Sequence, residues 1–208
     1  MLKANKLSRV NWRVAAWGIF LLVVAAFAVF SKSLDIQDYP YLLDGDPYFH
    51  ANVIRYIATH WQLPNIVPNQ IPVTPIFYPM GFHMVYAVIV KFSGISEFQL
   101  LRWGGPATAG LLTISMYFFA RRLSRKTVFL ISVTVLTALL PIFIPRLAIT
   151  LPENLFYLCI IWALYTSTFV FEHPTYWNVF TLFAIAAAGL YIHFSGYILG
   201  LLPIVGLI

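Results

Sequence analysis

Apolar residues run almost without interruption over 12–31, 101–120, 127–145, 154–171, 177–193 and 196–208, while charges and prolines gather between these runs. A helix that crosses a bilayer needs roughly 20 apolar residues. The pattern therefore predicts an all-α, polytopic membrane helix bundle with about six transmembrane helices. A further apolar run, 81–94, is bounded by Gly81 and Gly94 and carries His83 and Lys91. At about 14 residues it suits a re-entrant or interfacial helix better than a crossing. The apolar run still open at Leu207 and Ile208 leads us to expect more chain beyond it.

Between the first two runs lies a long region, about 31–100, and connections of this length are usually functional or disordered. Its pattern argues for order. Asp46 followed by Pro47 reads as a helix N-cap with proline at the first helical position. Phe49, Val53, Ile57 and Trp61 then recur at helical spacing, which predicts an amphipathic surface helix over about 47–62. Pro64, Pro68, Pro72, Pro75 and Pro79 follow, a spacing that forbids helix and predicts an extended strap back to the bilayer.

Composition agrees with a bilayer, since 61% of residues are hydrophobic and 10% charged. The net charge of +6 does not point to nucleic acid. Lys3, Lys6, Arg9 and Arg13, and then Arg121, Arg122, Arg125 and Lys126, flank apolar runs as cytoplasmic basic clusters do. With 81–94 not crossing, both clusters fall on the cytoplasmic side. The N-terminus and the 121–126 loop are then inside, and the first external region (31–100) and the second external loop (146–153) are outside. This places Asp35, Asp38, Asp44, Asp46, Glu97 and Glu153 outside and Glu172 inside. The apolar stretch from Val14 to Phe30 is too long for a signal-peptide core, so an uncleaved first span is expected. The lone Cys159 supports neither a disulfide framework nor a Cys-based metal site.

Three places carry candidate chemistry. In Asp44-Gly45-Asp46-Pro47-Tyr48-Phe49-His50, two carboxylates stand two residues apart at the start of the surface helix. Such oxygen ligands suit a divalent cation, Mg²⁺ or Mn²⁺; alternatively Asp46 caps the helix and Asp44 is a turn residue. Arg146 precedes Glu153-Asn154 by seven residues at the start of a span. An acid there is either a site residue facing the bundle or a first-turn acid favoured by the helix dipole, and Arg146 either meets phosphate or pairs with Glu153 or a lipid headgroup. His193, in His193-Phe194-Ser195-Gly196-Tyr197, can reach a phosphate or metal, or serve as an interfacial polar residue.

Together, in this order, these places resemble the catalytic subunit of oligosaccharyltransferase and its archaeal and bacterial single-subunit relatives, of the GT-C class. Asp46-Pro47-Tyr48-Phe49-His50 is similar to the family's D-P-[WY]-[FY]-[NH] run, and Tyr78-Pro79-Met80-Gly81 to its W-Y-P-x-G segment. Arg146 and Glu153 match in spacing its Arg and D-x-[DE] motif, and Ser195-Gly196-Tyr197 resembles a later W-[GY]-G-[YS] stretch. One departure stands out, because Leu155 occupies the motif's second acidic position.

The resemblance implies a membrane glycosyltransferase that moves a glycan from a polyprenyl-diphosphate donor to an acceptor polypeptide asparagine on the extracytoplasmic side. Asp46 and Glu153 would be catalytic, Arg146 and His193 would meet the donor phosphates, and a divalent cation, Mg²⁺ or Mn²⁺, held by Asp46, Asp44, Glu153 and His50, would assist. The family's remaining metal ligand and peptide-recognition motif lie further along the chain, so this stretch alone is expected to be inactive. The Leu155 departure keeps open a GT-C enzyme using a polyprenyl-phosphate monosaccharide. A transporter or non-catalytic membrane protein is the reading from another class, against which the ionisable residues cluster at span ends.

Overall fold

The computed structural model describes residues 12–37, 42, 45–66, 68, 76, 78–139 and 149–205. All regular structure among them is helical. The long apolar runs become α1 (Trp12–Gln37), α4 (Glu97–Leu123), α5 (Thr127–Leu139), α6 (Pro152–Glu172), α7 (Tyr176–Ile192) and α8 (Tyr197–Val205). The region between the first two long runs contributes α2 (Asp46–His60) and α3 (Gly81–Ser93), and a 3-10 turn at Phe194–Gly196 precedes α8. Two helices, α1 and α6, are long and apolar enough to cross a membrane, and α3 with α4 make a third candidate as a bent pair at 116°. α5 and α7 are shorter apolar helices, so six full spans are not evident among the described residues. The outer face of α1 leaves Val14, Ile19, Leu22, Val23, Phe27 and Phe30 exposed, apolar surface that water would oppose and lipid accepts.

Local chemistry sets the bend between α3 and α4. Gly94 takes the left-handed conformation, φ 71°, and donates its N–H to Val90 O at 3.1 Å, a helix stop that suits a residue without Cβ. Ser96 then caps α4 by accepting from Gln99 N at 3.2 Å. α2 starts one residue earlier than its sequence suggests. Gly45 is the N-cap, Asp46 is the first helical residue, and no side chain makes a capping hydrogen bond, so the capping role expected of Asp46 is not realised. The helix also ends sooner, at His60, where Trp61 sits left-handed at φ 55° with its N–H on Ile57 O. Trp61 is exposed, and the buried stripe is instead His50, Ala51, Val53, Ile54, Ile57 and Ala58. The strap doubles back far enough for Ile76 N to donate to Asn65 O at 3.2 Å; Pro72 and Pro75 lie outside the described residues.

The main core joins this α2 stripe to Phe82, Tyr86 and Ala87 of α3, Leu101 of α4, and apolar residues of α6, α7 and α8. α2 thus buries its apolar face against protein. Arg55 on its other flank ties it to α4, with Nε 2.6 Å from Glu97 Oε1 and Nη2 on the same oxygen. Glu97 is almost fully buried while Arg55 is half exposed. Arg55→Ala is therefore expected to cost on the order of 1–3 kcal/mol, less than a fully buried pair would. A lowered unfolding midpoint in detergent, restored in an Arg55→Met/Glu97→Leu double variant, is the expected result.

At the far end of α4, Arg122 pairs with Glu172, donates from Nε to Thr168 Oγ1 at 3.1 Å, and lies 4.3 Å from the Phe169 ring centroid. α4 and α6 therefore run parallel, their starts at one end and their basic and acidic finishes at the other. Near the starts, Gly105 N donates to Thr150 Oγ1 at 2.5 Å, and a Cβ at Gly104 would fall 2.8 Å from Thr150 and the Tyr86 hydroxyl. Only glycine there lets the segment before α6 lie on α4, and that contact fixes where Glu153 emerges.

Candidate functional site

Asp46, His50, Tyr78, His83, Glu153 and His193 gather where the start of α2, the start of α3, the start of α6 and the 3-10 turn converge. Gly81 makes the convergence possible. A Cβ on it would meet Tyr191 O at 2.7 Å, so the first residue of α3 rests directly on the last turn of α7. That contact sets Tyr78 beside the 3-10 turn, its ring 5.3 Å from Phe194 and 6.2 Å from His193 between centroids.

Glu153, in the first turn of α6, is half buried and faces His193, with Nε2 3.8 Å from Oε1. The histidine is oriented twice over. Its Nδ1 accepts from Ser195 N at 3.2 Å, so the ring proton of the neutral form sits on Nε2 and points toward Glu153. The ring also stacks on Phe156 with centroids 5.3 Å apart. His193 thus lies against Glu153 in this geometry.

On the α2 side, Asp46 is exposed, and one turn further His50 is buried. His50 Nδ1 lies 2.8 Å from His83 Nε2, inside a ring of Phe49, Tyr78 and Phe82. Burial, and secondarily the neighbouring His83, pushes the His50 imidazole down to about 3, so it is neutral at physiological pH. His83 is fully buried and its Nδ1 has no hydrogen-bond partner among the described residues. Sequence spacing does not single out His83, since its partner lies 33 residues away; the signal open to a reader is its place two residues after Gly81, at a helix start.

Tyr78 stands between the two halves. Its ring lies 5.9 Å from that of His50 and 6.2 Å from that of His83. Burial raises the phenol first, then the Glu153 carboxylate, then that of Asp46, to about 12.

The expected cation set is only partly brought together. Asp44 and Arg146 lie outside the described residues, and His50 turns its Nδ1 to His83. Among the described residues, no three His, Cys, Asp or Glu side chains converge as metal ligands, so these residues alone do not make the Mg²⁺ or Mn²⁺ site that the resemblance implies. Leu155 packs partly buried against the main core, leaving Glu153 as the acid of its motif. Below this level, an apolar cleft of about 350 Å³ between α4 and α6 is lined by Leu112, Met116, Phe119, Tyr157, Ile161 and Leu164. It begins one helical turn beyond Glu153. No protein-family model and no curated protein matches the chain, so any functional reading rests on these residues.

Proposed function

We propose that the chain forms part of a polytopic GT-C-class membrane glycosyltransferase, similar to the oligosaccharyltransferase catalytic subunit, acting on a polyprenyl-linked sugar donor. In this reading about six spans hold the N-terminus inside, α3 is re-entrant, and the Asp46 and Glu153 end faces out. The single observation that supports it best is that the starts of α2, α3 and α6 and the 3-10 turn meet around Tyr78, whose ring lies 5.9 Å from that of His50, one turn past the exposed Asp46, and 6.2 Å from that of His193, itself 3.8 Å from Glu153 Oε1.

An acceptor nitrogen placed there attacks the anomeric carbon of the donor. The C–N bond forms as the bond from that carbon to the diphosphate oxygen breaks, with inversion, and the diphosphate leaves with the electron pair. The nitrogen's proton passes to a carboxylate, Asp46 or Glu153, and general-base assistance of this kind contributes about 10²–10⁴-fold. Arg146 stands as the diphosphate contact by resemblance, its fork geometry suited to phosphate oxygens. The α4 and α6 cleft offers apolar surface beneath the reacting groups to the polyprenyl tail, among the membrane lipids.

Leu155 favours a second reading, a GT-C enzyme using a polyprenyl-phosphate monosaccharide, in which one strong acid suffices. One assay separates them. The full-length protein of which this stretch is proposed to form part, in lipid nanodiscs, is given an asparagine-containing acceptor peptide with either a polyprenyl-diphosphate oligosaccharide or a polyprenyl-phosphate monosaccharide, and the product mass is measured. Glycopeptide from the diphosphate donor is the expected result; product from the monophosphate donor alone would move the assignment to the second reading, and product from neither would reject both.

A further inference from the structure

We propose that a pocket beside the second half of α2 binds the phosphate and glycerol portion of a glycerophospholipid from the surrounding bilayer. It has a volume of about 590 Å³ and lies between α2, which supplies Asn52, Arg55 and Tyr56, and the strap, which supplies Pro64, Ile66 and Pro68. That volume falls within the roughly 300–1,000 Å³ of small-molecule sites. The α2 residues stand six or more positions after Asp46, so the pocket begins roughly 9 Å along the helix from that carboxylate. It is thus separate from the convergence around Tyr78. The inference rests on α4 crossing the bilayer and not on the glycosyltransferase reading.

The level of the pocket in the bilayer follows from α4. That helix has 27 residues, roughly 40 Å at 1.5 Å per residue, close to the thickness of a bilayer with its headgroup layers. Glu97 begins it, and Arg121 and Arg122 lie in its last turn, so Glu97 sits in one headgroup layer. Arg55 is tied to Glu97, which brings the pocket to the same layer. Trp61, Leu63 and Phe92 are exposed, with the Trp61 and Phe92 rings 6.2 Å apart, as suits aromatic residues at a membrane interface.

The donors in the pocket suit a phosphate. Arg55 places Nε and Nη2 on one oxygen of Glu97, which leaves Nη1 with two N–H bonds. Glu97 is almost fully buried and Arg55 half exposed, so the guanidinium is held from behind and presents its outer edge, whose fork geometry matches phosphate oxygens. The Asn52 and Asn65 amides and the Tyr56 hydroxyl make no hydrogen bond with the described residues and add further donors. Tyr56 is steadied by His60, whose ring stacks on it at 4.4 Å and whose Nδ1 donates to Tyr56 O at 3.0 Å. None of the residues lining the pocket is acidic. A free phosphate leaves Pro64, Ile66 and Pro68 uncovered and meets an ion pair with no net charge. A saccharide sets hydroxyls against those three side chains, which offer no hydrogen bond. A phospholipid satisfies both walls, its phosphate on α2 and its glycerol and first methylenes on the strap.

Native mass spectrometry of the full-length protein in detergent, titrated with phosphatidylglycerol or with diacylglycerol of the same acyl chains, tests the assignment. The unmodified protein is expected to bind phosphatidylglycerol about tenfold or more tightly than diacylglycerol, the scale of one charge-assisted hydrogen bond. Arg55→Met/Glu97→Leu removes one positive and one negative charge, so the general attraction to anionic lipid is unchanged; it is expected to shrink that preference to less than about twofold. Asn65→Ala, on the exposed strap and outside any helix, is expected to weaken phosphatidylglycerol about three- to tenfold and leave diacylglycerol unaffected, and it decides the matter should the double variant fail to fold. Equal binding of the two lipids by the unmodified protein, or an unchanged preference in Asn65→Ala, would overturn the proposal. Displacement of phosphatidylglycerol by inorganic phosphate or by chitotriose at comparable concentration would also overturn it, in favour of an anion or a saccharide pocket. Glycan transfer is no part of the readout, so the lipid site and the glycosyltransferase reading stand or fall separately.

Discussion

Asp46→Asn is expected to reduce glycan transfer at least 100-fold while leaving the fold intact. The carboxylate is exposed at the first position of α2, Gly45 is the N-cap, and no side chain caps the helix. Its structural contribution is therefore confined to a favourable charge at a helix N-terminus, about 0.3–1 kcal/mol. Asparagine preserves the volume but removes the charge and the ability to take a proton. The loss thus falls on the chemical step, where positioned proton transfer and electrostatic stabilisation each contribute factors of about 10²–10³ or more. Transfer to peptide and the unfolding midpoint should be measured on the same preparation. Undiminished transfer would remove Asp46 from the site, and a fall in stability of several kcal/mol would show it to be structural after all.

The contrast between Asp46 and Glu97 shows what could be read from the sequence and what could not. Both are acids at the start of a helix in the region between α1 and the body of α4. Asp46 is ambiguous between cap and site because spacing alone does not say which oxygen a backbone N–H will choose; the structure puts the cap on Gly45. The pairing of Glu97 is illegible in the sequence, because its partner Arg55 lies 42 residues earlier in the chain. The same limit hid His83. Long apolar runs, by contrast, declare themselves through local composition, and each run found in the sequence corresponds to a helix among the described residues. How many of them cross is less legible, since α5 and α7 are short and the α3 and α4 bend depends on one left-handed glycine, Gly94. The amphipathic stripe of α2 was placed on Phe49, Val53, Ile57 and Trp61, of which Val53 and Ile57 are in the core. The helix is buried against two neighbours, which widens and rotates its apolar face beyond what a surface helix would need.

Gly196→Ala is the substitution expected to damage the site most without touching a reacting group. Gly196 closes the 3-10 turn between α7 and α8, and a Cβ there would land on the backbone of Leu190 and Gly189. Backbone in the last turn of α7 cannot swing aside as a side chain can, so the turn itself must move. Overpacking of this kind costs about 1–3 kcal/mol and more where no rotamer offers relief, and about 3 kcal/mol or more is expected here. Because the turn holds His193 through Ser195 N and Nδ1, its displacement withdraws Nε2 from Glu153 and shifts the ring against which Tyr78 packs. Transfer should fall along with the unfolding midpoint. Gly200→Ala, one turn later in α8, supplies the matched control: a Cβ there meets nothing within 4 Å, and alanine in a helix interior is favoured over glycine by roughly 0.5–1 kcal/mol. The pair should move the midpoint in opposite directions, and equal behaviour would mean that α8 does not reach the end of α7 as described.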